Sequence, residues 1–263
     1  MKKIGFIGCG AMAQAMMPAI KTSGLDCTLA FSQRNQDHGR AFADQLGVHF
    51  VPDNSDLYGQ VDVVVLAVKP QQLADLDLAL AAGQEAPLVL SLLAGTPLEH
   101  LRQALGHDRM IRVMPNVAAS VAASMTVMAP GPGLAQEDID LAKSILDTIG
   151  RTVILDEEGL DKAGALNGCG PAFFFQIMEA CADALVALGI PRAISYEIAA
   201  QTMKGAADLA LANQTHPALL KDKVTSPGGT TIAGVCALEK AGVRSGLIEA
   251  ILASYGRTKE MSQ

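Results

Sequence analysis

The stretch Lys223–Gly234, KVTSPGGTTIAG, sets Ser226, Pro227, Gly228, Gly229, Thr230 and Thr231 in succession ahead of an apolar helical pattern. A plain turn needs only a glycine or an asparagine. Here hydroxyls and backbone N–H groups crowd a helix start, where the N–H groups have no intrahelical partner. Such a nest favours an anion by ~0.5–2 kcal/mol. Pro227 fixes φ, the glycines let the backbone close on a ligand, and Ser226 adds a hydroxyl donor. The chemistry suited to this stretch is anion binding, with Thr230 or Thr231 as a simple N-cap the structural alternative.

A second constellation lies at the other end of the chain. Gly8-Cys9-Gly10-Ala11-Met12-Ala13 reads G-x-G-x-x-A, after an apolar run from Lys3 to Gly8 and before a helical pattern from about Ala11. Glycines in that setting allow a tight turn and let the backbone approach a pyrophosphate seated on the helix N-terminus. Gly8, Gly10, Ala11 and Met12 are therefore candidate cofactor contacts. A dinucleotide site for NAD usually carries an acidic residue at the end of the second strand. That strand, Cys27 to Phe31, runs out instead into Ser32-Gln33-Arg34-Asn35. Ser32 and Arg34 suit a 2′-phosphate, the arginine through a charge-assisted fork, so NADPH is expected over NADH. Ala67, Val68, Lys69 and Pro70 close the most hydrophobic run and should border the nicotinamide, with Asn54 on the adenosine side.

The elements that must position these groups follow from the hydrophobic pattern. Val61–Val68, Leu88–Leu92 and Met110–Val113 are nearly continuous apolar runs, as expected of strands buried on both faces. Val48–Val51 is a further short strand. Helical stretches lie between, such as Arg40–Leu46 and Pro97–Leu105, the latter with Thr96 as N-cap and Pro97 in the first turn. Alternation of strand and helix predicts an α/β fold, a Rossmann-type doubly wound parallel sheet over residues 1–158. From about Leu155 the strands stop. Pro171–Leu188, Arg192–Ala212, Thr231–Lys240 and Ser245–Met261 read as helices, giving an all-α C-terminal domain over 159–263. The helix containing Phe173, Phe174 and Phe175 is apolar around most of its circumference, which predicts burial against a second subunit.

Composition removes other classes. The chain has 263 residues and a net charge of −7, with no long basic run, so nucleic acid is not an expected partner. The 5 cysteines are widely spaced, form no C-x-x-C, and point to a reducing, cytoplasmic setting without a metal site. No uninterrupted apolar run is long enough for a membrane span, and none is expected. The start MKKIGFIGCGAMAQ imitates a signal peptide, but the Gly-rich turn explains it better.

Taken together, IGFIGCGAMAQAM, LAVKPQ at 66–71, RVMPN at 112–116, GCGPAFFF at 168–175 and HPALLKDKVTSPGGTTIAG at 216–234 resemble the pyrroline-5-carboxylate reductases along nearly the whole chain. The resemblance implies reduction of 1-pyrroline-5-carboxylate to L-proline with NADPH, some members also accepting NADH. It implies a homodimer through the C-terminal helices, assembling in many members to a decamer. It makes Thr231 the residue that hydrogen-bonds the imine nitrogen. Ser226, Gly228, Gly229 and Thr230 then hold the substrate carboxylate, while Lys69, with Thr231 a candidate catalytic residue, and Asn116 line the same pocket. Departures from the family pattern are Val117-Ala118-Ala119 after MPN, Asn167 and Cys169 where serine is common, and Gln214-Thr215 before His216. A β-hydroxyacid dehydrogenase would need a lysine and an asparagine on the helix PAFFFQIMEACADAL, which has neither. A non-catalytic nucleotide-binding regulator remains the rival from another class.

Overall fold

The computed structural model describes residues 1–78, 80, 83–213 and 215–261, without the side chains of 213 and 261. Gln214, one of the departures above, lies outside the described residues. Contacts divide the chain into two compact units, Met1–Cys169 with Ser254–Gln263, and Gly170–Ala253.

The first unit is built on strands β1 Lys2–Ile7, β2 Cys27–Ser32, β3 His49–Phe50, β4 Val63–Leu66, β5 Leu88–Ser91, β6 Met110–Met114, β7 Ser124–Pro130 and β8 Gly150–Ile154. They form an 8-stranded sheet in the order β3-β2-β1-β4-β5-β6-β7-β8. Period-two alternation sends side chains to two cores. Ile4, Phe6, Val63, Val65, Leu88 and Leu90 pack on one face with Met16, Met17 and Ile20 of helix α1 (Ala11–Thr22). Ile7, Val64, Leu66 and Val89 pack on the other with Leu57 and Tyr58 of α3 (Asn54–Tyr58) and Leu101 of α4 (Leu98–Leu105). Helix α2 (Gln36–Leu46) lies beyond β2, where Phe31 meets Phe42 edge-on at 5.5 Å.

The sheet is not wholly parallel, as the alternation alone suggested: β6 and β7 are antiparallel. β7, β8 and α5 (Gln136–Leu146) carry weaker signals, since β7 buries Ser124 and Thr126 and β8 is largely exposed. Helix α4 also starts one residue later than predicted. Pro97 is its N-cap and Thr96 makes no capping bond; the first free N–H, of Leu98, donates to Glu157 Oε1 at 2.7 Å. Helix α6 (Glu157–Asn167) packs on this sheet through Arg112, so the break in contacts falls after Cys169, whereas the helical pattern placed a boundary at 158/159.

The second unit holds α7 (Gly170–Ala187), α8 (Arg192–Asn213), α9 (Pro217–Lys223), α10 (Thr230–Lys240) and the first part of α11 (Val243–Met261). His216 caps α9, its Nδ1 accepting from the Ala218 N–H at 3.2 Å. Within the single chain α7 is far from buried: Phe174 and Phe175 are 47% and 60% exposed. Within Glu157–Ala187 one window is long and apolar enough to cross a membrane by length and composition alone. No such span was expected from uninterrupted apolar runs; the average is reached because Phe, Ile, Leu, Val and Ala outweigh the few charges.

Candidate cofactor crevice and anion turn

The sheet order reverses at β1 and β4, and strand C-termini flanking that point make the crevice where ligands bind in such folds. A cavity of about 330 Å³ lies there. Gly8 and Gly10 line it from β1, Arg34 from β2, Asn54 from the β3 end, and Ala67, Val68 and Lys69 from β4. Gly8 has φ +92°, and a Cβ on it would lie 2.9 Å from Ala67 O and from Val68 Cγ1. The close approach of these two loops thus requires glycine. Gly10 is the N-cap of α1 and no side chain caps it. A bare helix N-terminus beside a glycine cradle fits a pyrophosphate. Cys9 is buried in the same loop, and burial pushes its thiol up to about 11, which leaves it protonated and inert.

Ser32 sits beneath this cavity rather than on its surface. It is fully buried and donates from Oγ to Asn54 Oδ1 at 2.6 Å. That bond occupies the acceptor of Asn54 and leaves its Nδ2 donors for a ligand. Asp53, next to Asn54 in sequence, is consumed as the N-cap of α3, accepting from the N–H groups of Ser55 (2.8 Å) and Asp56 (2.9 Å). Arg34 is exposed at the rim. Pro70 opens a short 3-10 turn, Pro70–Asp75, whose N-cap is Lys69; the Lys69 N–H donates to Gln72 Oε1 at 3.0 Å.

A second cavity, of about 460 Å³, lies on the β5 and β6 side. Met12, Ala94, Gly95, Asn116, Cys169 and Arg257 are among its lining. Met12 belongs to this cavity, whereas Ala11, the first residue of α1, lines neither. Asn116 is only 8% exposed. Its Oδ1 accepts from the Ala118 N–H at 3.0 Å and its Nδ2 donates to Asn167 O at 2.8 Å, which leaves one N–H uncommitted.

Arg112 stands at the head of RVMPN. It is 2% exposed and joins β6 to α6 through Glu157 (2.8 Å) and Asp161 (2.7 Å). The available signal was an arginine in the middle of an otherwise apolar strand, which burial forces to find carboxylates.

Ser226, Gly228, Gly229, Thr230 and Thr231 belong to the second unit. Helix α10 begins at Thr230, so Thr230 lies in the first turn rather than before it, and Gly229 is the N-cap with no capping side chain. Neither threonine hydroxyl serves as a cap. The Gly229 N–H is already used, donating to Ser226 O at 3.1 Å, and the ladder resumes with Ala233 N–H to Gly229 O at 3.4 Å. The first-turn N–H groups of Thr230, Thr231 and Ile232 are those left outside the ladder. Gly228 has φ +68°, a backbone that favours glycine, whereas a Cβ on Gly229 would meet chiefly the rotatable Ser226 Oγ, at 2.4 Å.

Residues 157–261 match the family model for pyrroline-5-carboxylate reductase dimerisation, and residues 3–95 match that for NADP oxidoreductases, coenzyme F420-dependent. The chain is 40% identical to a pyrroline-5-carboxylate reductase of Synechocystis over 99% of its own length and 98% of the relative's. It superposes on the structure of a pyrroline-5-carboxylate reductase from Coxiella burnetii with a TM-score of 0.90 at 33% identity, covering 100% and 99% of the two chains. A Plasmodium falciparum pyrroline carboxylate reductase with NADP bound gives 0.87 at 25% identity, covering 100% and 98%. The chain belongs to the pyrroline-5-carboxylate reductase family.

Proposed function

We infer that the chain reduces 1-pyrroline-5-carboxylate to L-proline with NAD(P)H, the last step of proline biosynthesis. Full-length similarity to reductases of that substrate carries the reading. Its support in the fold is the glycine cradle at Gly8 against a bare α1 N-terminus. NADPH is the preferred cofactor. Arg34 meets the 2′-phosphate, Ser32 orients Asn54 so that it donates to the ligand, and Gly8, Gly10 and Ala11 receive the pyrophosphate. When bound, the cofactor supplies the hydride.

The protein's own part is positioning and electrostatics. The N–H groups opening α10, with Ser226 and Gly228, hold the substrate carboxylate, while Gly229, its own N–H taken by Ser226 O, shapes the turn rather than donating. Thr231 donates to the ring nitrogen as it becomes an amine. Its hydroxyl is too weak an acid to protonate the imine unaided, so it orients the nitrogen or relays a proton from water. Met12 and Asn116 line the space for the nicotinamide and the imine ring, and Lys69 stands with Ala67, Val68 and Pro70 on the cofactor side. The exposed apolar face of α7 supports a homodimer through the C-terminal helices, with further association to a decamer, rather than a lipid-facing span. Five free cysteines support a cytoplasmic location.

The test is the loss of reduced-nicotinamide absorbance on mixing the protein with 1-pyrroline-5-carboxylate and either NADPH or NADH. Fast loss with NADPH and slow loss with NADH is expected. Cofactor binding without turnover on the imine would favour the regulatory protein. Thr231→Ala should lower kcat about 100-fold; full turnover with an unchanged KM would remove its role.

A further inference from the structure

The C-terminal end of α6 places the Asn167 amide against two neighbouring strands. Asn167 donates from Nδ2 to Met114 O at 2.7 Å and to Met125 O at 3.1 Å. Met114 ends β6 and Met125 lies near the start of β7. The ladder between these strands ends at the pair Met114–Val127. The amide of Asn167 therefore bridges the strands where they part, in place of a ladder bond. Its main-chain oxygen in turn accepts from Asn116 Nδ2 at 2.8 Å. The Asn116 N–H donates to Ser124 Oγ at 3.0 Å, which ties the same loop to β7. Each asparagine thus holds the backbone around the other, and the segment fixed between them, Met114–Val117, is one wall of the second cavity.

The orientation of the Asn167 amide is dictated by its partners. Both are carbonyls, and the turned amide would set oxygen against two acceptors. In the orientation that makes both bonds, Asn167 Oδ1 is buried with no partner. A side chain that only filled space would not retain an unpaired buried acceptor. A serine has a single hydroxyl donor and cannot bridge two carbonyls at once.

We propose that Asn167 is a positioning residue for the imine reduction, setting the Pro115–Val117 wall against which the reacting ring is aligned. This rests on the reading that reduction takes place in the second cavity. The full-length chain is compared with Asn167→Leu, Asn167→Ser and Ala94→Phe, the last crowding the cavity away from the clasp. The readouts are kcat and imine KM, and NADPH affinity by fluorescence titration. Asn167→Leu should lower kcat/KM for the imine about tenfold or more, with NADPH affinity within about twofold, and Asn167→Ser should fall between it and the parent. If Asn167→Leu fails to fold, the same ratio in Asn167→Ser decides. Equal loss of imine and NADPH affinity, or no change in either, would overturn the inference. Ala94→Phe should block turnover. If it does and the Asn167 variants do not, Asn167 alone is wrong; if Ala94→Phe turns over normally, the reading of the cavity falls, and the inference with it.

Discussion

The two units of this chain solve the problem of apolar surface in opposite ways. In the sheet unit, strands and helices close over both faces, and Ile4, Phe6, Val64, Leu66, Leu88 and Leu90 are fully buried. In the helical unit the large apolar side chains stay in the open: Leu188 is 80% exposed, Leu252 63% and Phe175 60%. The first is a complete core. The second leaves its apolar face open, within a segment that matches a dimerisation family model. The polar groups follow the same division. Arg112 in the sheet unit is buried and satisfied by two carboxylates, while ion pairs of the helical unit such as Arg192–Asp183 and Arg244–Glu239 are solvent-exposed and contribute little.

The strongest way to break this contrast is Phe175→Asp. Burying such a ring is worth roughly 1.5–3 kcal/mol, and a carboxylate in its place adds an unpaired charge. Sedimentation should show the assembly reduced to monomers, with turnover lost; an unchanged mass would mean that α7 is not the interface. Arg112→Ala attacks the closed unit instead. It leaves Glu157 and Asp161 facing each other, and because both are partly solvated the expected loss is about 3 kcal/mol, at the lower end for a broken buried pair. Urea denaturation reads this directly, and a loss below about 1 kcal/mol would make the triad no more than a surface pair.

Arg34→Ala should raise KM for NADPH about tenfold, some 1.4 kcal/mol, and leave KM for NADH unchanged. Equal effects on both would place Arg34 outside the 2′-phosphate site. The smallest effect belongs to His107, which accepts from the Arg109 N–H through Nδ1 (3.1 Å) and meets the Tyr58 hydroxyl through Nε2 (2.6 Å). Burial holds it below its ordinary value of 6.5. Its contribution to stability is therefore full above pH 6.5 and is lost as pH falls from there through the folded-state value. Melting temperature should drop between about pH 7 and 5 in the parent and drop less in His107→Gln; parallel curves would remove His107 from the account.

Much of this was legible in the residues themselves. Val63–Leu66 and Leu88–Leu90 announce strands buried on both faces because a parallel sheet between two helical layers leaves little room for polar side chains there. Gly8 marked the turn after β1 because its φ of +92° beside Ala67 suits only glycine. SPGGTT located the second helix start for a similar reason. β7 and β8 escaped, since one buries hydroxyls and the other faces solvent, and neither then shows a clean period.

What the sequence determined alone was the local grammar: strand runs, helix starts, glycines at positive φ, and a family pattern that names the reaction. What only the tertiary structure decided was which polar groups remain free. Ser32 proved to hold Asn54 from below, Asp53 to be spent on a cap, the Gly229 N–H to be taken by Ser226, and Asn116 to be clasped by Asn167. Hydrogen-bond partners are set by distance in space. Spacing along the chain lists the donors and acceptors but cannot say which have already met.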